Sequence, residues 1–138
     1  MAFPGGRWEP QDESMVHTAQ RETLEEIGLD LYSVASLGAL DDLHGGAATN
    51  RPISVQPIVF WLGEQHPELT ANYEVADIVW VGASELLDPR RHIQYYFPPS
   101  DSHFPGIQLD KADQVIWGLT LRMLSDLFTR LGYGFISL

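Results

Sequence analysis

The segment "FPGGRWEPQDESMVHTAQRETLEEIGLDL", residues 3–31, decides how this chain is read. Pro4, Gly5, Gly6 and Pro10 break any regular pattern, so residues 3–12 are predicted to form a loop. From 14 to 27 the spacing becomes helical, with Met15, Val16, Ala19, Thr23, Leu24 and Ile27 recurring at three- and four-residue steps. Asp12 or Glu13 is placed to open that helix, with Ser14 close behind, and Gly28 stands where a C-cap glycine belongs. On such a helix Glu22, Glu25 and Glu26 stack over a single turn on one face. Like charges at that spacing destabilise a helix. A hard divalent cation offsets the repulsion, because Mg²⁺ and Mn²⁺ prefer oxygen ligands and Mg²⁺ usually meets substrate phosphates. Gly6 lets main chain approach the helix closely, which makes its carbonyl a candidate neutral ligand. Arg21, one turn before Glu25, is placed to hold carboxylates through charge-assisted bonds. Acids on an exposed helix are ordinarily solvated surface. The combination of Pro-Gly-Gly, Glu13, Arg21-Glu22, Glu25-Glu26 and Gly28 is what raises a metal site beside that reading.

The remainder of the chain bounds the fold. At 138 residues one domain, 1–138, is expected, long enough to bury about two thirds of its unfolded surface. Strands are predicted over 31–40, with Gly38 a weak point or bulge, over 53–62, where Pro57 argues for an edge or bulge, and over 74–81. Loops are predicted over 41–51 and 63–73, a helical turn over 83–87, and a long loop or short hairpin over 88–110, which holds "YYFPP" and "HFPGI". A second helix is expected over 111–131, with Val115, Leu119, Leu121, Leu124, Leu127, Phe128 and Leu131 on its apolar face. Two helices and at least three strands point to an α/β sandwich.

Composition excludes some functions. No cysteine is present, which removes disulfides, thiol catalysis and Cys-based zinc sites and fits a reducing, cytoplasmic setting. No apolar run approaches the ~20 residues that cross a bilayer, so no membrane partner is expected. A formal charge of −11 disfavours broad nucleic-acid binding, since phosphate backbones need a Lys/Arg surface. A small anionic substrate fits such a chain only through a bridging cation.

The glutamate segment resembles the signature of the Nudix hydrolase family. Arg21-Glu22-Thr23-Leu24-Glu25-Glu26-Ile27-Gly28-Leu29 follows the family pattern with Thr23 in an aliphatic place. Glu13 sits eight before Arg21, as in the pattern, and one extra residue separates Gly6 from Glu13. The longer loop, with Phe3-Pro4-Gly5-Gly6 and Pro10-Gln11-Asp12, is similar to the coenzyme A pyrophosphatase-like branch. "NYEVADIVWV", residues 72–81, and "IWGLT", residues 116–120, resemble later parts of that branch.

The resemblance implies a Nudix-like α/β/α sandwich with a mixed sheet. It implies Mg²⁺- or Mn²⁺-dependent hydrolysis of a pyrophosphate bond in a nucleotide substrate, with coenzyme A or its derivatives foremost. The alternatives are other nucleoside diphosphate derivatives such as ADP-ribose, or a fold of little activity kept for binding. Glu22, Glu25 and Glu26 match the metal ligands and Gly6 the backbone contributor. Arg21 and Glu13 match an orienting pair. Glu74 falls near a further carboxylate that serves as ligand or base, and either Glu74 or Glu22 is available to accept the proton of the attacking water. Arg7 and Gly5, beside the carboxylates, are expected substrate contacts. The branch carries strands ahead of Phe-Pro-Gly-Gly, so the chain is expected to be an N-terminally truncated domain. Loss of those strands would weaken activity toward coenzyme A and expose a sheet edge that a homodimer covers.

Packing is the expectation for Trp8, Trp61 and Trp117, with base stacking the alternative for Trp8 and Trp61. His17 and His44 are read as surface or packing residues. Tyr95, Tyr96 and Phe97 are expected to cover sheet, with one wall of the substrate site the alternative, and Glu85 to cap or solvate its short turn.

Overall fold

In a computed structural model the described residues are 1–45 and 52–135. The 46–51 portion of the predicted loop 41–51 lies outside them. The elements in order are α1 (Met15–Ile27), β1 (Ser36–Ala39), β2 (Leu43–Gly45), β3 (Ile53–Val55), β4 (Ile58–Phe60), α2 (Ala83–Leu86), β5 (His92–Phe97), β6 (Ser102–Gln108), β7 (Val115–Trp117) and α3 (Gly118–Arg130). The α/β class therefore holds. Every strand pair among the described residues is antiparallel, so the mixed sheet implied by the resemblance shows only antiparallel pairs here. The chain divides into two compact units, one of Phe3–Leu40 and Gln56–Trp80, the other of Met1–Ala2, Asp41–Val55 and Val81–Leu138.

In the first unit α1 forms much as its spacing dictates. Ser14, in extended conformation, is the N-cap and accepts the His17 N–H at 3.1 Å; neither Asp12 nor Glu13 takes that place. Gly28 closes the helix at φ 69°, donating to Leu24 O at 3.0 Å. The buried side chains are Thr18, Thr23 and Ile27, while Met15 and Leu24 of the expected apolar face remain exposed. Thr23 fills its buried place because its hydroxyl donates to Ala19 O at 2.7 Å and leaves only its methyl to be packed. The strand expected over 31–40 shrinks to β1, which pairs with β4, and the register shifts between Ser36 and Gly38, where φ is 133°. That is the bulge Gly38 predicted.

Pro57 does more than mark an edge. It divides the expected strand 53–62 into β3 and β4, which belong to different units. Lacking an N–H, Pro57 contributes only its carbonyl, which accepts Leu40 N–H at 2.9 Å. The strand expected over 74–81 does not form. Asn72 turns the chain, its side chain accepting Glu74 N–H at 2.9 Å and its carbonyl Val75 N–H at 3.3 Å. Asp77 Oδ1 then accepts Ile78 N–H at 2.9 Å. Short polar side chains thus take donors that a ladder would need.

In the second unit residues 88–110 form the hairpin β5–β6, and β7 adds to it beside β6. A 3₁₀ turn over Pro98–Ser100 and a left-handed Asp101 close the hairpin, and Tyr96 Oη donates to Asp101 at 2.9 Å. The expected helix 111–131 begins only at Gly118, because Val115–Trp117 is strand β7. At φ 64° Gly118 turns strand directly into helix, a conformation that favours glycine. The core is Leu86, Ile107, Leu109, Ile116, Leu121, Leu124 and Phe128, with Ile107 and Leu121 almost wholly removed from solvent. Leu131 of the expected apolar face is 60% exposed. Glu85 caps α2 by accepting Gly82 N–H at 2.9 Å. Tyr95, Phe97 and Phe104 gather around Trp117, with centroids 5.0, 4.8 and 5.6 Å from it, so Trp117 packs as expected. A surface cavity of about 290 Å³ in this unit is lined by Asp41, Leu43, Arg122, Ser125, Asp126 and Thr129, none of them a site residue expected from the sequence.

Candidate active site on helix α1

Seven of the eight expected site residues are drawn together by three segments of the first unit: the glycine loop, α1, and the turn at 70–74. Two main-chain bonds fasten that turn to the end of α1, Thr70 N–H to Ile27 O at 3.0 Å and Asn72 N–H to Glu26 O at 2.9 Å. Glu74 is thereby carried to the glutamate face. Its charge reaches Glu26, as do those of Glu22 and Glu25. Partial burial is the main cause that raises the Glu26 carboxyl above the ordinary glutamate range; the three neighbouring carboxylates push it further, against a bond from Gly5 N–H. The phenol of Tyr73 donates to the Glu74 carboxylate and is itself pushed up by it.

The glycine pair meets the helix directly. Gly5 donates to Glu26, which is a contact within the site and not yet one to a substrate. Gly6 lies so close to Glu22 that a Cβ there would fall within the carboxylate, with Oε2 at 2.6 Å. A side chain at that position would displace the Glu22 carboxylate.

Arg21 is the hub. Its Nε reaches Asp12 Oδ1 at 2.9 Å and its Nη2 reaches Asp12 Oδ2 at 3.0 Å. Nη2 also donates to Arg7 O at 3.0 Å, and Nη1 faces Glu22 at 3.2 Å and Glu25 at 3.4 Å. The orienting acid is therefore Asp12, in place of the expected Glu13. Glu13 is exposed, its main-chain N–H donates to His17 Nδ1, and its carboxylate is not among Arg21's partners. Asp12 is buried and also accepts Glu9 N–H and Thr18 Oγ1–H, each at 2.9 Å. The Arg21 guanidinium, first among its causes, holds the Asp12 carboxyl far below the usual range although burial opposes this, and Asp12 in turn raises Arg21. The signal available in the sequence was Pro10-Gln11-Asp12. Arg7 contributes its carbonyl to Arg21, and the residue is exposed. Trp8 and Trp61, expected to pack, are 53% and 65% exposed.

The donors fit a hard divalent cation. They are all oxygen, they carry several negative charges around a half-buried Glu26, and Gly6 keeps main chain against Glu22. Among the described residues no three His, Asp or Glu side chains stand close enough together to hold an ion as placed. Glu22 and Glu25 both face Arg21, at 3.2 and 3.4 Å, which offsets part of their mutual repulsion.

A loop of Pro-Gly-Gly ahead of a glutamate-stacked helix, within an α/β chain, defines a protein built to gather carboxylates at a backbone-lined site. The chain belongs to the Nudix family: the NUDIX domain model matches residues 1–100. It is similar to the uncharacterized Nudix hydrolase NudL of Yersinia pestis (strain Pestoides F), with 31% identity over 132 residues, 92% of this chain and 62% of the relative. The same figures hold for NudL of Yersinia pseudotuberculosis serotype O:1b (strain IP 31758). The chain thus spans less than two thirds of the length of the curated relatives it matches.

Proposed function

We propose that this chain, as one Nudix domain, hydrolyses a pyrophosphate bond in a nucleoside diphosphate derivative with Mg²⁺ or Mn²⁺ as cofactor. One observation carries the reading: the glycine loop sets Gly6 against Glu22, and the turn at 70–74 is bonded to the end of α1, so Glu74 comes to the helix that bears Glu22, Glu25 and Glu26. Carboxylates gathered in this way are stabilised by a hard divalent cation. Glu22, Glu25, Glu26 and the Gly6 carbonyl would hold the ion. When bound, a divalent cation draws off the charge that develops on the phosphoryl oxygens in the transition state.

The chain's own residues do the rest. Arg21, anchored by Asp12, sets the rotamers of Glu22 and Glu25 before substrate arrives. Glu74, beside Glu26 and bonded by Tyr73, is assigned the proton of the attacking water, with Glu22 as the other candidate. Arg7 contacts a phosphoryl oxygen.

Coenzyme A or its derivatives lead the list of substrates, on the strength of Phe3-Pro4-Gly5-Gly6 and Pro10-Gln11-Asp12. ADP-ribose-like compounds follow. A homodimer is part of this reading. The absence of cysteine supports a cytoplasmic setting, and among the described residues no helix is long and apolar enough to cross a membrane.

The test is calorimetry with Mg²⁺ and Mn²⁺ on wild type and Glu22→Gln, joined to a hydrolysis panel of coenzyme A, ADP-ribose and dinucleoside polyphosphates. Metal uptake and turnover in wild type, both lost in Glu22→Gln, support the reading. No metal uptake by folded wild type, with or without nucleotide, sinks it.

A further inference from the structure

We infer that Trp8 is the surface on which the substrate's nucleobase stacks. This rests on the proposed hydrolase reading and gives that site its specificity for a nucleoside over a bare diphosphate. Four observations converge. Trp8 is two residues beyond Gly6, a reach of at most about 7 Å of extended chain from the glycine that touches Glu22. The residue before it is tied to the carboxylates, because one Arg21 guanidinium bonds Arg7 O and also faces Glu22 and Glu25. The indole is held by its inner edge, Nε1–H donating to Asp12 O at 3.1 Å, and Asp12 is itself fixed by Arg21, Thr18 and Glu9. Yet the residue remains 53% exposed.

A half-exposed, anchored indole leaves much of its ring area facing water. Its ring orientation is set in advance, so a stacking partner has little side-chain entropy to overcome. Every nucleobase offers a flat π-face, and stacking on Trp needs no hydrogen-bond code. Two other exposed aromatics of this unit lack the combination. Tyr73 spends its hydroxyl on Glu74 and is otherwise 93% exposed. Trp80 pairs edge-on with His66, 5.4 Å away.

The test compares ADP with inorganic pyrophosphate, both with Mg²⁺, on wild type, Trp8→Ala and Trp8→Phe. Trp8→Ala should weaken ADP roughly 5- to 150-fold, the range for one lost base stack, and leave pyrophosphate unchanged. Trp8→Phe, which keeps a ring but has no N–H for Asp12, should bind ADP between wild type and Trp8→Ala while losing most of the ADP-induced fluorescence quenching. The inference is overturned if Trp8→Ala leaves ADP affinity intact, if it weakens ADP and pyrophosphate alike, or if Trp8→Phe is as poor as Trp8→Ala. ADP bound without dependence on Trp8 sinks this inference and leaves the hydrolase reading standing. A wild type that binds neither ligand sinks both.

Discussion

The Arg21 guanidinium grips both oxygens of Asp12, Nε to Oδ1 at 2.9 Å and Nη2 to Oδ2 at 3.0 Å, with the Asp12 side chain fully withdrawn from solvent. The same cation faces Glu22 and Glu25. A buried acid beneath the loop therefore orients the arginine that orients the site. Asp12→Asn should lower kcat of the proposed hydrolysis and also the thermal stability, since it leaves Arg21 short of a counter-charge. Glu13→Gln should change neither, because the Glu13 carboxylate is exposed and outside this network. Parallel kinetics and melting curves on the two variants check the pair. Equal damage from both would return the orienting role to Glu13.

The pair also makes stability depend on acidity, with a definite sign. Arg21 depresses the Asp12 pKa in the folded state, whereas the unfolded chain has an ordinary value of about 3.9. The stabilisation is thus complete above about pH 4 and is lost as pH falls toward the folded value. Urea unfolding at pH 7, 4, 3 and 2 should show wild type and Asp12→Asn converging in stability on the acid side. A constant gap between them over that span would contradict the linkage.

Gly6→Ala should be more damaging than its size suggests. The added methyl would occupy the Glu22 carboxylate, so the loop or the glutamate must move. Loss of activity beyond the ~10- to 100-fold typical of a displaced metal-supporting group is expected. Gly5→Ala, whose Cβ meets nothing within 4 Å, should be far milder. Activity and Mn²⁺ affinity measured together would show whether ligand geometry is the cause.

In the second unit the prediction concerns stability alone. Leu121 is 1% exposed and packs in the core with Ile107 and Phe128, so Leu121→Ala should cost ~2–5 kcal/mol. Gly118→Ala, at φ 64°, should cost ~1–2 kcal/mol from strain at the strand-to-helix switch. Leu131→Ala on the exposed end should be nearly silent. Chemical denaturation of the three variants gives the ranking.

What could be read from sequence was set by near neighbours along the chain. The extent of α1, its Gly28 cap, the bulge at Gly38 and the stacking of Glu22, Glu25 and Glu26 are all short-range consequences of helix and turn geometry. Gly118 carried the opposite lesson. Val115–Trp117 continues the apolar pattern of α3, and only pairing with β6 makes it strand. The strand expected over 74–81 failed for a related reason: its β-branched residues promised a ladder, but Asn72 and Asp77 bond the local main chain first.

The amino-acid order alone determined that this is a Nudix chain with a glutamate-bearing helix behind a glycine loop, because residues one turn apart must share a face. Tertiary structure alone decided that Asp12 and not Glu13 anchors Arg21, that Glu74 joins the site through bonds from Thr70 and Asn72 to the end of α1, and that the Trp8 ring stays open to solvent. Those outcomes depend on which donor meets which acceptor once loop and helix are packed, and spacing along a chain does not specify that.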